Sequence, residues 1–230
     1  MGSILVIGGS RGIGGYIGDQ LGRNHHVIRT YKTDRTTLKQ ESNWMHLDLN
    51  DLTSIESFVE ELPLNISAII FNAGINARGD FLEMTPEDYD NVMNVNLKSY
   101  VFLVQGIEKA QKLRDGMRLI FISSVSSQYY GPTTCHYMLS KIGINGLVKF
   151  LAQRYSTRGI LVNGIAPGLI RTDQTDSEFE SGAAQRLINR TLLRRPGTLE
   201  EVFGTVEYLL EQNSTYLTGQ IIALSGGAIL

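Results

Sequence analysis

The stretch VIGGSRGIGGYIG, from Val6 to Gly18, holds six glycines in thirteen residues. It overlaps the end of a short apolar run, SILVIG (3–8), and leads into a segment of helical length from about 12 to 23. Glycine weakens a helix and is favoured where another group must approach the backbone closely. The order strand, glycine-rich turn and helix therefore defines the first unit of the fold.

The composition is that of an ordinary globular protein of 230 residues, with 42% hydrophobic and 19% charged residues. A net charge of −2 argues against nucleic acid as the main partner, and no apolar run approaches the ~20 residues of a membrane span. The four histidines lack the spacing of metal ligands, so we expect no metal. The single cysteine, Cys135, excludes an internal disulfide. With no basic-then-apolar leader, we expect a cytoplasmic protein.

Apolar runs alternate along the chain with segments of helical length. Seven runs predict strands, at 3–8, 26–31, 44–49, 66–74, 117–124, 160–168 and 220–227. Four segments predict helices, at 12–23, 51–62, 85–113 and 134–155. Nearly continuous apolar strands between helices are typical of a parallel sheet covered on both faces. The sequence therefore predicts an α/β protein with a single-domain Rossmann fold over 1–230, a doubly wound seven-stranded parallel sheet.

The least regular stretch, 172–196, follows the sixth predicted strand and is a candidate substrate loop or lid. It begins acidic and then carries Arg186, Arg190 and Arg194 at helical spacing. Such a stripe of arginines could meet an acidic carrier protein or an anionic ligand. It could equally be a solvated helix face.

Gly8, Gly12 and Gly14 are spaced G-x-x-x-G-x-G in the first turn. The exposed N–H groups and the positive end of a following helix attract a pyrophosphate, and side chains at these positions would hold it away. A tight turn with close helix–strand packing would require the same glycines. The position at the first strand and turn favours a dinucleotide.

The end of the second predicted strand indicates which dinucleotide is preferred. An acid there binds the adenosine ribose of NAD, whereas a base accepts the 2′-phosphate of NADP. Tyr31 stands at that position, Lys32 follows it, and Arg11 lies in the glycine turn. These cations favour NADP(H) over NAD(H), although they could be solvated surface charges and Asp34 lies close by.

The segment YMLSK places Tyr137 and Lys141 at i and i+4, on one face of the helix predicted at 134–155. A nearby ammonium is expected to lower the pKa of a tyrosine and make it a usable proton donor and acceptor. Ser124 ends the fifth predicted strand, at the same sheet edge as the glycine turn, and could hold a carbonyl oxygen. His136 should point about 100° away from Tyr137 around the helix, and we interpret it as incidental.

These pieces occur in a recognisable order: the glycine turn, NAG (72–74), NVNLKS (94–99), Ser124, YxxxK (137–141) and PGLIRT (167–172). Over essentially the whole chain this order resembles the short-chain dehydrogenase/reductase family, and the compact branch that includes 3-oxoacyl-[acyl-carrier-protein] reductases. The sequence departs from the family pattern at Ile7, Phe71, Gly164 and Ser225.

The resemblance implies a catalytic set of Asn96, Ser124, Tyr137 and Lys141, in which Asn96 anchors a water that passes protons towards Lys141. It also implies that Asp48 contacts adenine and that Ile170 bonds the carboxamide through its backbone. Together with the residues discussed above, the expected cofactor-binding set is Gly8, Ser10, Arg11, Gly12, Ile13, Gly14, Tyr31, Lys32, Asp48, Leu49, Asn72, Ala73, Gly74, Tyr137, Lys141, Pro167, Gly168, Ile170 and Thr172.

The resulting expectation is an NADPH-dependent oxidoreductase that reduces a ketone or β-ketoacyl carbonyl to an alcohol, with Tyr137 as general acid/base. The substrate would be a small molecule or an acyl thioester. The alternative is a catalytically silent NADP-binding regulator or scaffold, which would have no need of all four catalytic positions.

The predicted helices 86–112 and 134–155 carry more apolar residues than one sheet face needs. The resemblance implies a homodimer or homotetramer through these helices, and burial within the monomer is the alternative.

Overall fold

The computed structural model describes residues 2–33, 43–77, 79–128, 133–173, 175–211 and 213–228. Asp34 lies outside these ranges. All seven predicted strands are present and form one parallel sheet in the order β3-β2-β1-β4-β5-β6-β7. The strands are β1 Ser3–Ile7, β2 Val27–Tyr31, β3 Trp44–His46, β4 Ile66–Phe71, β5 Arg118–Ile122, β6 Leu161–Pro167 and β7 Ile221–Leu224.

Helices cover both faces of the sheet, as expected for a doubly wound fold. They are α1 Gly12–Leu21, α2 Leu52–Glu61, α3 Pro86–Met93, α4 Ser99–Lys109, α5 Cys135–Tyr155, α6 Asp176–Glu180, α7 Ala183–Ile188 and α8 Leu199–Leu210. One core packs residues of α2, α4 and α5 against the sheet, and a second core packs α1 and α8 against the other face. The predicted fold class is confirmed.

The helix predicted over 85–113 is interrupted. Thr85 caps α3 in a capping box with Asp88, and Pro86 is its first residue, as expected. A π-helical turn over Asn94–Lys98 then separates α3 from α4. Such turns insert an extra residue and are frequent at functional sites. Here the turn contains Asn96, so the break in the helix sets the direction of a predicted catalytic residue.

Helix α8 was absent from the elements predicted from the sequence. Thr198 accepts a hydrogen bond from the Glu201 backbone N–H, and the Glu201 side chain bonds back to Thr198, which forms a second capping box. Val202, Val206 and Leu209 follow at helical spacing and are buried. Both signals are readable in the sequence, so this omission could have been avoided.

The helical stripe of arginines predicted within 172–196 is wrong. Helix α7 ends at Ile188, whose carbonyl accepts a hydrogen bond from the Thr191 hydroxyl. Arg194 has a positive φ of 53°, which no helix accommodates. Of the three arginines, only Arg186 lies in a helix, so they form no continuous face for an acidic carrier.

Phe71, a departure from the family pattern, is a core residue at the end of β4. Its ring is fully buried, stacks on Phe121 at a centroid distance of 4.2 Å, and meets Tyr100 edge-on. The Tyr100 hydroxyl donates a 2.5 Å hydrogen bond to the Ala73 carbonyl. This aromatic cluster therefore supports the turn after β4.

Among the described helices, none combines the length and apolarity that crossing a membrane requires.

Candidate active site

The predicted site residues meet because all seven strands are parallel. The carboxyl ends of β1, β4, β5 and β6 lie at one edge of the sheet. The segments that follow them are the glycine turn, 72–74, 123–127 and 168–172. Residues from these distant parts of the sequence are thereby brought to one rim, as the motif order predicts.

Two glycines of the first turn are required by packing within the protein. Gly8 has a φ of +77°, and a Cβ there would lie 2.6 Å from the Ala73 Cβ. A Cβ on Gly14 would lie 2.3 Å from the Asn72 Nδ2, which donates a 3.0 Å hydrogen bond to the Gly8 carbonyl. The close-packing interpretation of these glycines therefore accounts for Gly8 and Gly14.

Gly12 differs, because the space around it is open. Its φ is +57°, and the nearest atom to a Cβ there would be 3.9 Å away on Thr172. Arg11 caps α1 without a side-chain hydrogen bond to the first turn. Next to this helix end is a cavity of about 420 Å³ lined by Ser10, Arg11, Gly12 and Gly15, among others. Uncapped N–H groups at a helix start beside such a cavity fit the phosphates of a dinucleotide.

The residues at the end of β2 differ in part from expectation. Tyr31 is buried and packs edge-on against Trp44 and His46. Lys32 is exposed, and its Nζ lies 3.1 Å from an Asp48 carboxylate oxygen. The two cations Arg11 and Lys32 favour NADP(H) when no carboxylate is near them, but Asp48 places a carboxylate beside Lys32. Arg11 is exposed and lines the cavity beside the helix start.

Four further predicted cofactor residues follow β6 or lie near it. The Gly168 N–H donates to the Leu224 carbonyl at 2.8 Å. Ile170 is buried and forms an isolated bridge with Gly197. Thr172 faces Gly12 across the rim, and Pro167 ends β6. The side chain of Leu49 lies in one core and that of Ile13 packs against the other, and their predicted contact with the cofactor stays a prediction.

Ser124, Tyr137 and Lys141 lie together at this rim. The Ser124 and Tyr137 side chains approach each other closely enough for the Ser124 hydroxyl to act on the pKa of the phenol. Lys141 is only 3% exposed, and its Nζ donates a 2.9 Å hydrogen bond to the Ile122 carbonyl. The same Nζ lies 5.6 Å from the centroid of the Tyr137 ring. The i, i+4 spacing on α5 therefore produces the predicted contact.

The pKa values at the site differ from the simple expectation. Burial raises the pKa of Tyr137, and the hydrogen bond from Ser124 lowers it in part. The pKa lowering expected from Lys141 is not found. Burial instead lowers the pKa of Lys141 to about 8. At neutral pH, Tyr137 is therefore a neutral phenol and Lys141 is mostly protonated.

Asn96 is completely buried and points its amide at the segment after β4. Its Oδ1 accepts from the Ile75 N–H, and its Nδ2 donates to the Ile75 carbonyl, both at 2.8 Å. The Nδ2 also donates to the Ser140 hydroxyl at 3.1 Å. A Cβ on Gly74 would lie 3.4 Å from the Asn96 Oδ1 and 3.5 Å from the Lys141 Nζ. Both side chains thus approach Gly74 closely.

His136 is not incidental. It is 3% exposed, and its Nε2 donates a 3.1 Å hydrogen bond to the Ala77 carbonyl, while its Nδ1 lies 3.0 Å from the Met84 sulfur. Thr134 bonds Asn76 at 2.5 Å. The start of α5 is thereby joined to the segment that Asn96 also holds. Sequence spacing could not reveal this, because His136 meets a backbone carbonyl and a thioether.

The buried Lys141 ammonium should make stability depend on pH. Its pKa is about 8 in the folded chain against an ordinary 10.5, so above pH 8 the unfolded chain binds more protons. The free energy of unfolding should therefore rise with pH across this window, by at most about 3 kcal/mol relative to Lys141→Met. Chemical denaturation of both proteins at several pH values measures the difference. The exposed Lys109→Met is the control, and parallel wild-type and Lys141→Met curves would contradict the prediction.

Comparison with known proteins agrees with this geometry. A family model described as Enoyl-(Acyl carrier protein) reductase matches residues 10–228. The 3-oxoacyl-[acyl-carrier-protein] reductase MabA of Mycobacterium bovis is 30% identical over 98% of this chain and 92% of its own. The 3-oxoacyl-[acyl-carrier protein] reductase of Brucella melitensis, solved with NAD, superposes with a TM-score of 0.86 at 30% identity, covering 99% of this chain and 96% of its own. A blue fluorescent protein from a metagenomic library, solved with NADPH, has a TM-score of 0.87 at 27% identity. The match covers 100% of this chain and 98% of that protein. The chain therefore belongs to the short-chain dehydrogenase/reductase family and is an oxidoreductase acting on CH–OH or C=O groups.

Proposed function

We propose that the chain is an NADP(H)-dependent reductase of 3-oxoacyl thioesters or related ketones, in which Tyr137 is the general acid. The observation that carries this proposal is the Ser124–Tyr137–Lys141 cluster beside an uncapped helix start. The curated relative named above is a 3-oxoacyl-[acyl-carrier-protein] reductase, which favours a thioester substrate. The sheet domain, proposed to span 1–230, would carry the whole activity, with 172–196 as the substrate loop.

The chemistry proposed for these side chains is proton transfer and orientation. When bound, the nicotinamide would supply a hydride to the carbonyl carbon. The Ser124 hydroxyl holds the carbonyl oxygen, and the Tyr137 phenol donates its proton to that oxygen. The raised pKa of Tyr137 keeps it protonated at neutral pH, which is the form that reduction needs. Lys141, protonated at the same pH, returns a proton to Tyr137, and a water held near Asn96 would resupply Lys141.

The preference for NADP(H) rests mainly on Arg11. This guanidinium is exposed at the start of α1 and lines the cavity there. Arg29 and Arg171 line the same cavity, but each is paired with a carboxylate. Arg29 lies 2.6 Å from Asp19, and Arg171 lies 3.5 Å from Asp176. The Lys32 ammonium forms an ion pair with the Asp48 carboxylate. Arg11 is therefore the cation best placed to receive a 2′-phosphate.

A cytoplasmic location also stays a prediction.

Tyr137→Phe tests the proposed chemistry. With NADPH and acetoacetyl-coenzyme A, a 3-oxoacyl thioester, kcat should fall at least about a hundredfold because the proton donor is lost. NADPH binding, followed by its fluorescence, should stay within about twofold because the ring remains. Simple and cyclic ketones and quinones belong in the same screen. Undiminished turnover by the variant would contradict the role of Tyr137. A wild type that binds NADPH but turns over none of these substrates would favour the catalytically silent scaffold.

Arg11→Ala tests the cofactor preference. Loss of a charge-assisted contact to phosphate should lower kcat/KM for NADPH roughly tenfold to a hundredfold and leave the value for NADH within about twofold. Lys32→Ala should have a smaller effect, since Asp48 already pairs with Lys32. Arg114→Ala is the matched control, because Arg114 bonds the Leu64 carbonyl at the opposite edge of the sheet. Equal losses for the two cofactors would contradict the preference.

A second copy of the chain is proposed to cover the outer faces of α4 and α5. Tyr100 and Leu151 are buried within the monomer, so burial explains part of the apolar excess. The remaining large apolar side chains there are 38–58% exposed: Val101, Phe102, Leu139, Ile142 and Phe150. Large exposed apolar side chains on these two helices are what a subunit interface would cover.

The oligomer has a direct test. Light scattering after size exclusion should give two or four times the 25.5 kDa chain mass. Phe102→Arg combined with Phe150→Arg should yield the monomer, because each places a charge in the proposed interface. Leu82→Arg, at a residue that is 88% exposed outside these helices, is the control. A monomeric wild type would contradict the proposal.

A further inference from the structure

A cluster of polar side chains lies directly behind the candidate catalytic residues and has no part in the proposed chemistry. Its centre is Asn145, which follows Lys141 by four residues on α5 and Tyr137 by eight. Residues at this spacing lie on one side of a helix. Asn145 therefore faces the same turn, 123–127, that carries Ser124.

Asn145 uses both ends of its amide to hold that turn. Its Oδ1 accepts a 2.7 Å hydrogen bond from the Ser123 hydroxyl, and its Nδ2 donates a 2.8 Å bond to the Ser127 hydroxyl. The Ser127 hydroxyl in turn donates a 2.5 Å bond to the carbonyl of Ser124. An unbroken chain of hydrogen bonds thus runs from α5 to the backbone of Ser124.

The other hydrogen bonds of the turn do not replace this connection. The Ser127 and Gln128 N–H groups donate to carbonyls of the turn itself, at 3.0 and 2.9 Å. The Ser126 N–H donates to the Ser124 Oγ at 3.1 Å. The Ser123 N–H donates to the Ile165 carbonyl at 2.7 Å, which ties only the beginning of the turn to β6. The Ser123 hydroxyl also lies 3.5 Å from the Lys141 carbonyl, and Ser124 meets Tyr137 directly. Apart from these two contacts, the polar side-chain link between the described part of this turn and α5 runs through Asn145.

We propose that Asn145 is a positioning residue: through Ser127 and Ser123 it fixes the 123–127 turn to α5, and so holds the Ser124 hydroxyl against Tyr137. Ser124 and Tyr137 come from different elements, and their contact requires the turn and the helix to be in register. A displacement of about 1 Å in a reacting group can cost a hundredfold in rate. The catalytic consequence rests on the proposed reductase function, whereas the positioning itself does not.

The chain offers a matched control in Asn163. This asparagine is 4% exposed on β6, and its Nδ2 donates to the Leu217 carbonyl at 2.7 Å, while its Oδ1 accepts from the Gln220 N–H at 3.1 Å. It too ties a segment of irregular backbone to a core element with both ends of its amide. It differs in holding the segment before β7 instead of the Ser124 turn.

The experiment compares Asn145→Ala, Ser127→Ala, their double variant and Asn163→Ala. With NADPH and acetoacetyl-coenzyme A, kcat should fall roughly tenfold to a hundredfold in the first three, with the dissociation constant of NADPH unchanged within about twofold. The double variant should lose no more than Asn145→Ala, within about twofold, because removing Asn145 already breaks the link through Ser127. Asn163→Ala should lower stability and leave kcat within about twofold of the wild type.

Hydrogen exchange of the peptide covering 123–128 gives a readout that needs no turnover. The amides of Ser126 and Ser127 should exchange faster in Asn145→Ala and Ser127→Ala, and at the wild-type rate in Asn163→Ala. Unchanged exchange in Asn145→Ala, equal kcat losses in Asn145→Ala and Asn163→Ala, or additive losses in the double variant would overturn the proposal. A wild type that turns over no carbonyl probe contradicts the proposed function instead, and the exchange data then decide the positioning by themselves.

Discussion

The close approach of the first turn to the end of β4 is the contact on which the rest of the rim depends. The Ile7 carbonyl accepts hydrogen bonds from both the Asn72 and Ala73 N–H groups, and Asn72 bonds back to the Gly8 carbonyl. No side chain fits at Gly8 or Gly14 while these distances hold. The start of α1 is thereby placed beside the segment that leads to Gly74, where Asn96 and Lys141 also converge.

A second constraint is the burial of an ammonium at that point. Lys141 is nearly inaccessible, and burial lowers its pKa to about 8. The same low-polarity surroundings raise the pKa of Tyr137 and keep it protonated. A pair of groups held in this way suits proton donation to a substrate better than proton removal at neutral pH. The electrostatics of the rim therefore keep the Tyr137 phenol protonated at neutral pH.

The candidate site is supported by polar side chains, of which His136 and Asn145 lie outside the expected catalytic set. Asn96 holds Ile75, His136 holds Ala77, and Asn145 holds the turn of Ser124. Each joins a helix to a segment that follows a strand. The rim is thus built from irregular backbone that is held by two side-chain amides and an imidazole. Preorganisation of this kind is what a site needs when orientation supplies much of the rate.

The sequence by itself determined the fold class, the seven strands and the grouping of Ser124, Tyr137 and Lys141, because apolar periodicity and parallel pairing leave few alternatives. Only the tertiary structure decided the rest. The π-helical turn that aims Asn96 depends on the Ile75 backbone, 21 residues away. The pairing of Lys32 with Asp48 and the upward shift in the pKa of Tyr137 likewise arise from contacts or burial between segments. The sequence shows which side chains are present. The hydrogen-bond and ion-pair partners of these side chains, and the dielectric surroundings that shift their pKa values, are set only when distant segments pack together.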